Sequence, residues 1–345
     1  MAKTPENNAK TTEITGKNDV FNDVLSSLKI TGSVLLNEDY VSPWAVSIPQ
    51  GKDLPGSGQN THVAAFHLVR RGVIEIELEN GSREIVCEGE LVVCFSASAH
   101  TLSQGKGVSP RPFMQIMQEG ENIFKPDKET FAQSASLICG TFMLHNTFLN
   151  PLFESLPPLL KVTKKQGNYY DVSTTATIIE LLQKEIDQYS CAHGFIIARY
   201  LELLCAKTIQ QYTRNLPSNR SGWLQAIKDP LISQLISDIH LHPANSWSVK
   251  EMAKRVALSP SRFAARFSNA MGAAPMSYVT QWRIYQAIKL LNDTRDSVEQ
   301  ISLQTGYENV AAFGRAFKRN TGISPGKWRK ERGADISRLK RRSRV

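Results

Sequence analysis

The sequence predicts an α+β protein with three parts: an N-terminal β-barrel or jelly-roll domain, a helical hairpin, and an all-α C-terminal domain with two helix-turn-helix motifs. Three observations lead to this prediction. Apolar and polar residues alternate in the N-terminal part, helical spacing replaces that alternation after about residue 165, and one sequence unit occurs twice near the C-terminus. A period of two residues indicates strands, and recurrence after three or four residues indicates helices.

The N-terminal part has the pattern of short, half-buried strands. Residues 73–81, VIEIELENG, alternate apolar residues with glutamates and end in an Asn-Gly pair that favours a hairpin turn. Residues 82–95 predict two further strands hinged at Gly89. Many short strands separated by glycine-containing turns are typical of an all-β sandwich or barrel.

Two amphipathic helices follow the strands and are joined by the short segment SCAHG. Ile197, Leu201 and Leu204 share one face of the second helix. A two-helix hairpin cannot bury this much apolar surface by itself, so we expect it to pack on the β domain or on a second subunit. We therefore expect the hairpin to support dimerisation.

One unit of the C-terminal part is repeated after 50 residues. The shift relates Phe263 to Phe313, Phe267 to Phe317, Gly272 to Gly322, and Pro275 to Pro325. In both copies a short helix is predicted before the repeated phenylalanines, because Ser248 with Glu251 and Ser297 with Gln300 have the spacing of a capping box. Gly306 is expected to end its helix in the left-handed conformation.

A helix, a short turn and a second helix form a helix-turn-helix. The predicted organisation is a disordered tail at 1–20, a β domain at 21–165, a helical hairpin at 170–215, a linker at 216–229, a helical domain at 230–331 and a basic tail at 332–345. Within the helical domain we expect a first helix-turn-helix at about 248–270, a linker helix at about 275–291 and a second helix-turn-helix at about 297–320.

Helical geometry separates the two faces of the second helix in each copy. At about 100° per residue, Phe313 and Phe317 lie on one side, whereas Arg315 and Lys318 lie opposite. The phenylalanines are therefore predicted to be core, and the opposite face is free to enter a major groove, where arginine contacts guanine. The outward face of the first copy carries hydroxyl and alanine side chains instead of long cations.

Charge is distributed unevenly along the chain. Residues 221–345 contain 21 Lys and Arg against 9 Asp and Glu, a net of +12, while the rest has 20 against 23. A basic C-terminal third indicates a polyanionic partner. The five cysteines form no C-x-x-C pair, and neither a secretion signal nor a long apolar run is found, so we expect a cytoplasmic protein, associated with the nucleoid and without a membrane segment.

The second copy closely resembles the signature of the AraC/XylS family of bacterial transcription regulators. The matching residues are Gly306, Tyr307, Phe313, Arg315, Phe317, Lys318, Gly322, Ser324, Pro325, Trp328 and Arg329. Ser302 stands where the family usually has alanine. The resemblance covers about residues 230–331, and more loosely the rest of the chain resembles the family branch with a cupin-like N-terminal domain.

The resemblance implies roles for individual residues of the two recognition helices. It implies base contacts for Ser261, Ala264, Ala265, Val310, Ala311 and Arg315. Phosphate or flanking contacts are expected for Arg262, Asn309, Lys318, Arg319 and Arg329. Because the family often has arginine at the position of Ala265, Arg315 is the strongest candidate for a guanine contact.

For the cupin-like domain the resemblance implies a sensor of a small organic effector, and His67, Arg70 and His100 are candidates for its lining. Cupin enzymes hold a metal with a His-x-His pair, which this chain lacks, although His62, His67 and His100 could converge in space. We favour a sensor without a catalytic residue, metal or cofactor. A metal-dependent cupin enzyme fused to a DNA-binding domain is the alternative.

The predicted partners are a double-stranded DNA operator, a small organic effector, a second copy of the chain in a homodimer and, if the protein is an activator, RNA polymerase. Because members of the family it resembles more often activate transcription, we expect an activator. A third hypothesis, an architectural protein of the nucleoid, differs in predicting binding that does not depend on DNA sequence.

Overall fold

The structure is a computed structural model. It describes residues 20–57, 61–120, 122, 124–145, 147–163, 169–188, 191–216 and 221–331. The predicted basic tail and all but the last residue of the predicted N-terminal tail lie outside the described residues.

Among the described residues of the N-terminal part, ten strands form two five-stranded sheets. The strands are β1 (Lys29–Val41), β2 (Trp44–Ile48), β3 (Thr61–Arg71), β4 (Val73–Leu78), β5 (Arg83–Cys87), β6 (Leu91–Cys94), β7 (His100–Gln104), β8 (Arg111–Pro112), β9 (Ser134–His145) and β10 (Leu160–Val162). The first sheet has the order β1-β9-β3-β6-β10, and the second has the order β5-β4-β7-β2-β8.

The two sheets enclose an apolar interior. In β4 the alternation predicted from sequence is confirmed, since Ile74, Ile76 and Leu78 are buried and the glutamates between them are not. The chain leaves the second sheet after β5, bends at Gly89 with a φ of 74°, and joins the first sheet as β6. Glycine adopts this positive φ without strain. The predicted hinge is therefore the point at which the chain crosses between sheets.

Thirteen α-helices complete the described part of the chain, and the last covers residues 325–331. Twelve precede it. They are α1 (Val20–Ser27), α2 (Phe113–Glu119), α3 (Pro151–Ser155), α4 (Tyr169–Asp187), α5 (His193–Arg214), α6 (Trp223–Ala226), α7 (Pro230–Leu241), α8 (Val249–Arg255), α9 (Pro260–Met271), α10 (Pro275–Asp293), α11 (Val298–Gln304) and α12 (Val310–Thr321). The α+β architecture with a sheet-rich N-terminal part and a helical C-terminal part confirms the predicted fold class.

The hairpin of α4 and α5 packs on the outer face of the first sheet. Gly32 of β1 lies so close to Leu201 of α5 that a Cβ atom added at Gly32 would stand 2.5 Å from the Leu201 Cβ. Ile197, Leu201 and Leu204 are buried there. The β domain thus covers one face of the hairpin, whereas Phe195 remains 69% exposed and Leu203 46% exposed.

The core of the hairpin continues into the first half of the helical domain. One cluster of buried side chains joins the outer face of the first sheet, α1 and α5 to α6, α7 and α9. A separate cluster lies between α10, α11 and α12 and is centred on Phe313 and Phe317. The first helix-turn-helix therefore shares a core with the N-terminal part, and the second has a core of its own.

Residues 223–226 of the predicted linker at 216–229 form the packed helix α6. Trp223, Leu224 and Ala226 of α6 are buried, and α6 packs between α3 and α9. These apolar side chains fill the junction between the domains, which removes them from water.

A polar contact also joins the two domains. The hydroxyl groups of Tyr285 on α10 and Ser27 on α1 lie 2.6 Å apart, and the side-chain amide of Asn150 donates to the Tyr285 hydroxyl at 3.4 Å. No helix in the described ranges is long and apolar enough to cross a membrane.

Candidate functional site

The second helix-turn-helix consists of α11 and α12, and its ends are capped as the sequence predicts. The Ser297 hydroxyl accepts from the Gln300 amide, and the Gln300 side chain accepts from the Ser297 amide, so the capping box is confirmed. Gly306 has a φ of 83°, the expected left-handed conformation. Ser302 is fully buried and its hydroxyl donates to the Tyr307 carbonyl at 3.4 Å, which accommodates the departure from alanine.

Helix α12 has one buried face and one exposed face. Phe313 and Phe317 are fully buried, as predicted. Ala311, Arg315 and Lys318 are exposed on the opposite side. Within the described residues Arg315 has no ion-pair partner, so its guanidinium is available to a ligand. A planar guanidinium can donate two hydrogen bonds to one guanine edge.

Helix α9 of the first helix-turn-helix has the same division with different chemistry. Ser261 and Ala265 are exposed, and Ala264 is half-buried. The nearby cation Arg266 is not free, because its Nε and Nη2 donate to the Asp229 carboxylate at 2.8 and 3.0 Å. The exposed face of α9 therefore offers a hydroxyl and methyl groups.

The predicted flanking residues lie in different environments. Arg262, Lys318 and Arg319 are exposed, and each can meet a phosphate. The side-chain oxygen of Asn309 caps α12 by accepting from the amides of Ala311 and Ala312. Arg329 is half-buried instead of fully exposed.

Val310 is 39% exposed at the first position of α12, where its side chain stands beside the capping residue. A position at the N-terminal end of a recognition helix is one from which base edges are contacted.

Arg283 on α10 joins the two helix-turn-helix units, which sequence reasoning did not indicate. Its Nε donates to the Pro243 carbonyl and its Nη2 to the Asn245 carbonyl, both at 2.8 Å. Its guanidinium also lies 5.6 Å from the ring centroid of Tyr307. Together with α10 it links the segment before α8 to the turn between α11 and α12. The sequence placed Arg283 in the predicted linker helix but gave no sign of these contacts.

A cavity lies between the two sheets. Its lining comes from β1, β2, β3, β7, β9 and α2, and includes Tyr40, Trp44, His67, Phe113 and Thr141. The empty space between the lining atoms is about 430 Å³, part of which is open to solvent. Only about 20 Å³ of it can hold the centre of a water molecule. The cavity is therefore narrow, and its walls are mainly apolar with a few polar groups.

Two buried histidines meet across the sandwich. His67 of β3 and His100 of β7 have their Nε2 atoms 2.8 Å apart. Burial lowers the pKa of His67 well below its usual range, and the neighbouring His100 lowers it further. Burial also lowers the pKa of His100, although a hydrogen bond to the Ser98 carbonyl opposes this. Both rings are therefore neutral at pH 7.

The structure corrects one of the three predicted lining residues and qualifies another. Arg70 is wrong as a lining residue, because its guanidinium forms a two-bonded ion pair with Asp187 on the outer side, at 2.6 and 3.1 Å. Its place at the end of β3 directs it away from the interior. His100 contacts the lining residue His67 without itself lining the cavity.

His62 does not join the histidine pair. Its Nε2 donates to the Phe95 carbonyl, and its ring packs edge-on against Phe153. Across the part of the chain that the structure describes, no group of three or more His, Cys, Asp or Glu is placed to hold a metal ion.

Comparison with known proteins agrees with this architecture. A family described as "Cupin" matches residues 19–214, and one described as "Helix-turn-helix domain" matches residues 252–331. A putative AraC-like transcription regulator of Streptomyces lividans is 27% identical over 318 residues, which cover 90% of this chain and 98% of the relative.

Two solved structures are also similar. The DNA-binding domain of AdpA in complex with a target DNA is 28% identical, covers 31% of this chain and 96% of its own, and has a TM-score of 0.30. Unsaturated-fatty-acid-bound ToxT from Vibrio cholerae is 11% identical, covers 88% of this chain and 94% of its own, and has a TM-score of 0.34. The chain belongs to the AraC/XylS family of DNA-binding transcription regulators, in the branch with a cupin N-terminal domain.

Proposed function

We propose that this regulator binds a DNA operator with α9 and α12 in adjacent segments of the major groove, under the control of a small molecule held between the sheets. The observation that carries the proposal is that α9 and α12 each have an exposed face, in two units that α10 and Arg283 connect. Successive major-groove segments on one side of DNA lie about 34–36 Å apart.

Base discrimination falls mainly to Arg315. Ala311 and Val310 flank it on the exposed side of α12, and Lys318 and Arg319 supply phosphate contacts. In the first unit, Ser261, Ala264 and Ala265 contribute a hydroxyl contact and methyl contacts to thymine. Arg262 supplies a phosphate contact there, and phosphate contacts position the helices without specifying sequence.

The cavity is the proposed effector site, and packed side chains connect its lining strands to the first DNA-binding unit. β1 and β9 line the cavity, and β1 also carries Gly32, against which Leu201 of the hairpin packs. The hairpin in turn shares its core with α6, α7 and α9. A ligand that widens the cavity shifts this packing only by binding one arrangement more tightly than the other.

We infer that the cupin domain senses and does not catalyse. Supporting this, His67 of the cavity wall hydrogen-bonds to His100, and His62 is engaged elsewhere. The regulator then needs no cofactor, and its place of action is the cytoplasm, at the nucleoid.

The exposed apolar side of the hairpin is the proposed contact with a second copy of the chain. Phe195 and Leu203 are exposed on α5, and Leu181 is exposed on α4, although the opposite face of the hairpin is already covered by the β domain. A dimer addresses two operators or two half-sites at once. If the DNA-bound regulator activates transcription, RNA polymerase is a further partner.

The experiment is selection of genomic DNA fragments by the full-length protein, followed by mobility-shift titration with and without metabolites found by a thermal-shift screen. A ligand that binds the folded state raises the melting temperature. We expect one sequence class to be enriched and its affinity to change with the stabilising metabolite. Enrichment without sequence preference would point to an architectural protein. A transition metal that the purified protein binds and that His67→Ala loses would point to the metal-dependent enzyme.

A further inference from the structure

The hydrogen bonds of the buried histidine pair fix where each proton lies. His100 Nδ1 is 2.9 Å from the Ser98 carbonyl oxygen. A carbonyl oxygen can only accept, so His100 Nδ1 must carry a proton. A neutral imidazole has one N–H, and the Nε2 of His100 is therefore an acceptor.

The same argument then applies to His67. Its Nε2 lies 2.8 Å from the His100 Nε2 and must be the donor of that hydrogen bond. Neutral His67 consequently has a bare Nδ1, which can only accept. This Nδ1 is buried and has no hydrogen-bond partner among the described residues.

A buried acceptor without a partner is costly, and His67 is one of the side chains that line the cavity. The described lining residues include no Lys, Arg, Asp or Glu. An anionic ligand would meet an acceptor instead of a counter-ion there, and an unpaired charge is expensive to bury. The wall therefore selects for a donor group and against a negative charge.

We propose that the effector is a neutral, mainly apolar molecule with a hydroxyl or similar donor group that hydrogen-bonds to Nδ1 of His67. This inference rests on the proposed effector role of the cavity and names the chemistry of the molecule that fills it. The aromatic side chains of Tyr40, Trp44 and Phe113 line the same cavity and provide apolar contacts for its body.

Three matched probes test the inference by calorimetric titration of the full-length protein. Phenol offers a donor, toluene has the same shape without one, and anisole has an acceptor oxygen only. We expect phenol to bind about tenfold more tightly than toluene, because it satisfies the buried acceptor, and anisole to bind no better than toluene. In His67→Phe the preference for phenol should disappear.

The proton positions can be read without any variant. Nitrogen-15 spectra of the unmodified protein distinguish a protonated ring nitrogen from a bare one, and should show His67 protonated at Nε2 and His100 at Nδ1. A protonated His67 Nδ1, or equal binding of phenol and toluene, would overturn the inference while leaving the cavity as an effector site. Binding by none of the three probes would count against the effector site itself.

Discussion

The two helix-turn-helix units have the same order of helices but differ in what surrounds them. The first unit packs into the core that the hairpin and the first sheet share, and its Arg266 is held by Asp229. The second unit has its own core between α10, α11 and α12, and its Arg315 is exposed without an ion-pair partner in the described chain. The two copies of the duplicated sequence therefore differ in how their cores connect to the rest of the protein.

The difference indicates a division of labour between the copies. A unit that shares its core with the sensor responds to changes in the sensor, because cores transmit strain through close packing. A unit with a separate core and free cations is better suited to strong, specific contacts with DNA. We expect the first copy to couple the operator to the effector and the second copy to carry most of the sequence discrimination.

Truncating one phenylalanine in each core is the strongest test of this comparison. Phe317→Ala and Phe267→Ala each remove a fully buried ring and should lower the free energy of unfolding by about 3–5 kcal/mol. Hydrogen exchange should show the loss from Phe317→Ala confined to α11, α12 and the adjoining part of α10. The loss from Phe267→Ala should extend to α6, α7 and the hairpin.

The half-buried residue Ser268 provides a control within the first unit. Ser268→Ala removes no buried ring and should leave the exchange pattern of the hairpin unchanged. If Phe267→Ala and Phe317→Ala produced losses of the same extent, the two cores would not be distinct units of stability.

Removing the outward side chains compares the two recognition helices directly. Arg315→Ala should weaken operator binding by about 1–3 kcal/mol, because a bidentate contact with guanine discriminates by that amount. Ser261→Ala should cost less, about 0.5–1.5 kcal/mol, since it removes one neutral hydrogen bond. Mobility-shift titrations against the operator and against random DNA give both values.

Lys318→Ala is the matched control for Arg315→Ala, since it removes a neighbouring cation of the same helix. It should weaken binding to operator and to random DNA alike, and reduce the salt dependence by about one counterion. A larger loss of specificity in Ser261→Ala than in Arg315→Ala would reverse the proposed division between the copies.

The local features of both units were predictable from sequence because they depend on residues close together in the chain. The cap at Ser297, the positive φ of Gly306 and the buried phenylalanines all follow from spacings of three or four residues or from one residue type. The alternation in β4 also identified its buried face, since successive side chains of a strand point to opposite sides.

The contacts that decide function join residues far apart in sequence, and no periodic pattern encodes them. Arg70 was expected in the cavity, but its partner Asp187 is 117 residues away and holds it outside. His67 and His100 belong to different sheets, and their pairing depends on how those sheets stack. Trp223, Leu224 and Ala226 of α6 are buried, and α6 packs against α3 and α9, which are distant in the sequence.

The stability of the two units should also differ in its dependence on mild acid, which is a smaller but independent effect. Burial lowers the pKa of His240 in α7 to about 3, and its ring stacks on Trp282 at 3.4 Å between centroids. An unfolded histidine has a pKa of about 6.5, so below that pH the unfolded chain binds a proton that the folded state excludes. Stability should therefore fall by about 1.4 kcal/mol per pH unit for each such histidine, down to the folded pKa.

His67 adds the same dependence in the sensor, whereas the sequence from residue 243 onward contains no histidine. Urea unfolding at pH 7.0 and pH 5.5 should show the loss, and His240→Gln should remove about one histidine's share of it. Hydrogen exchange corrected for its intrinsic pH dependence should show greater opening of α7 and the sheets, with α11 and α12 unaffected. Equal acid sensitivity of α12 would mean that its core depends on the first unit, and that the two copies are one unit of stability.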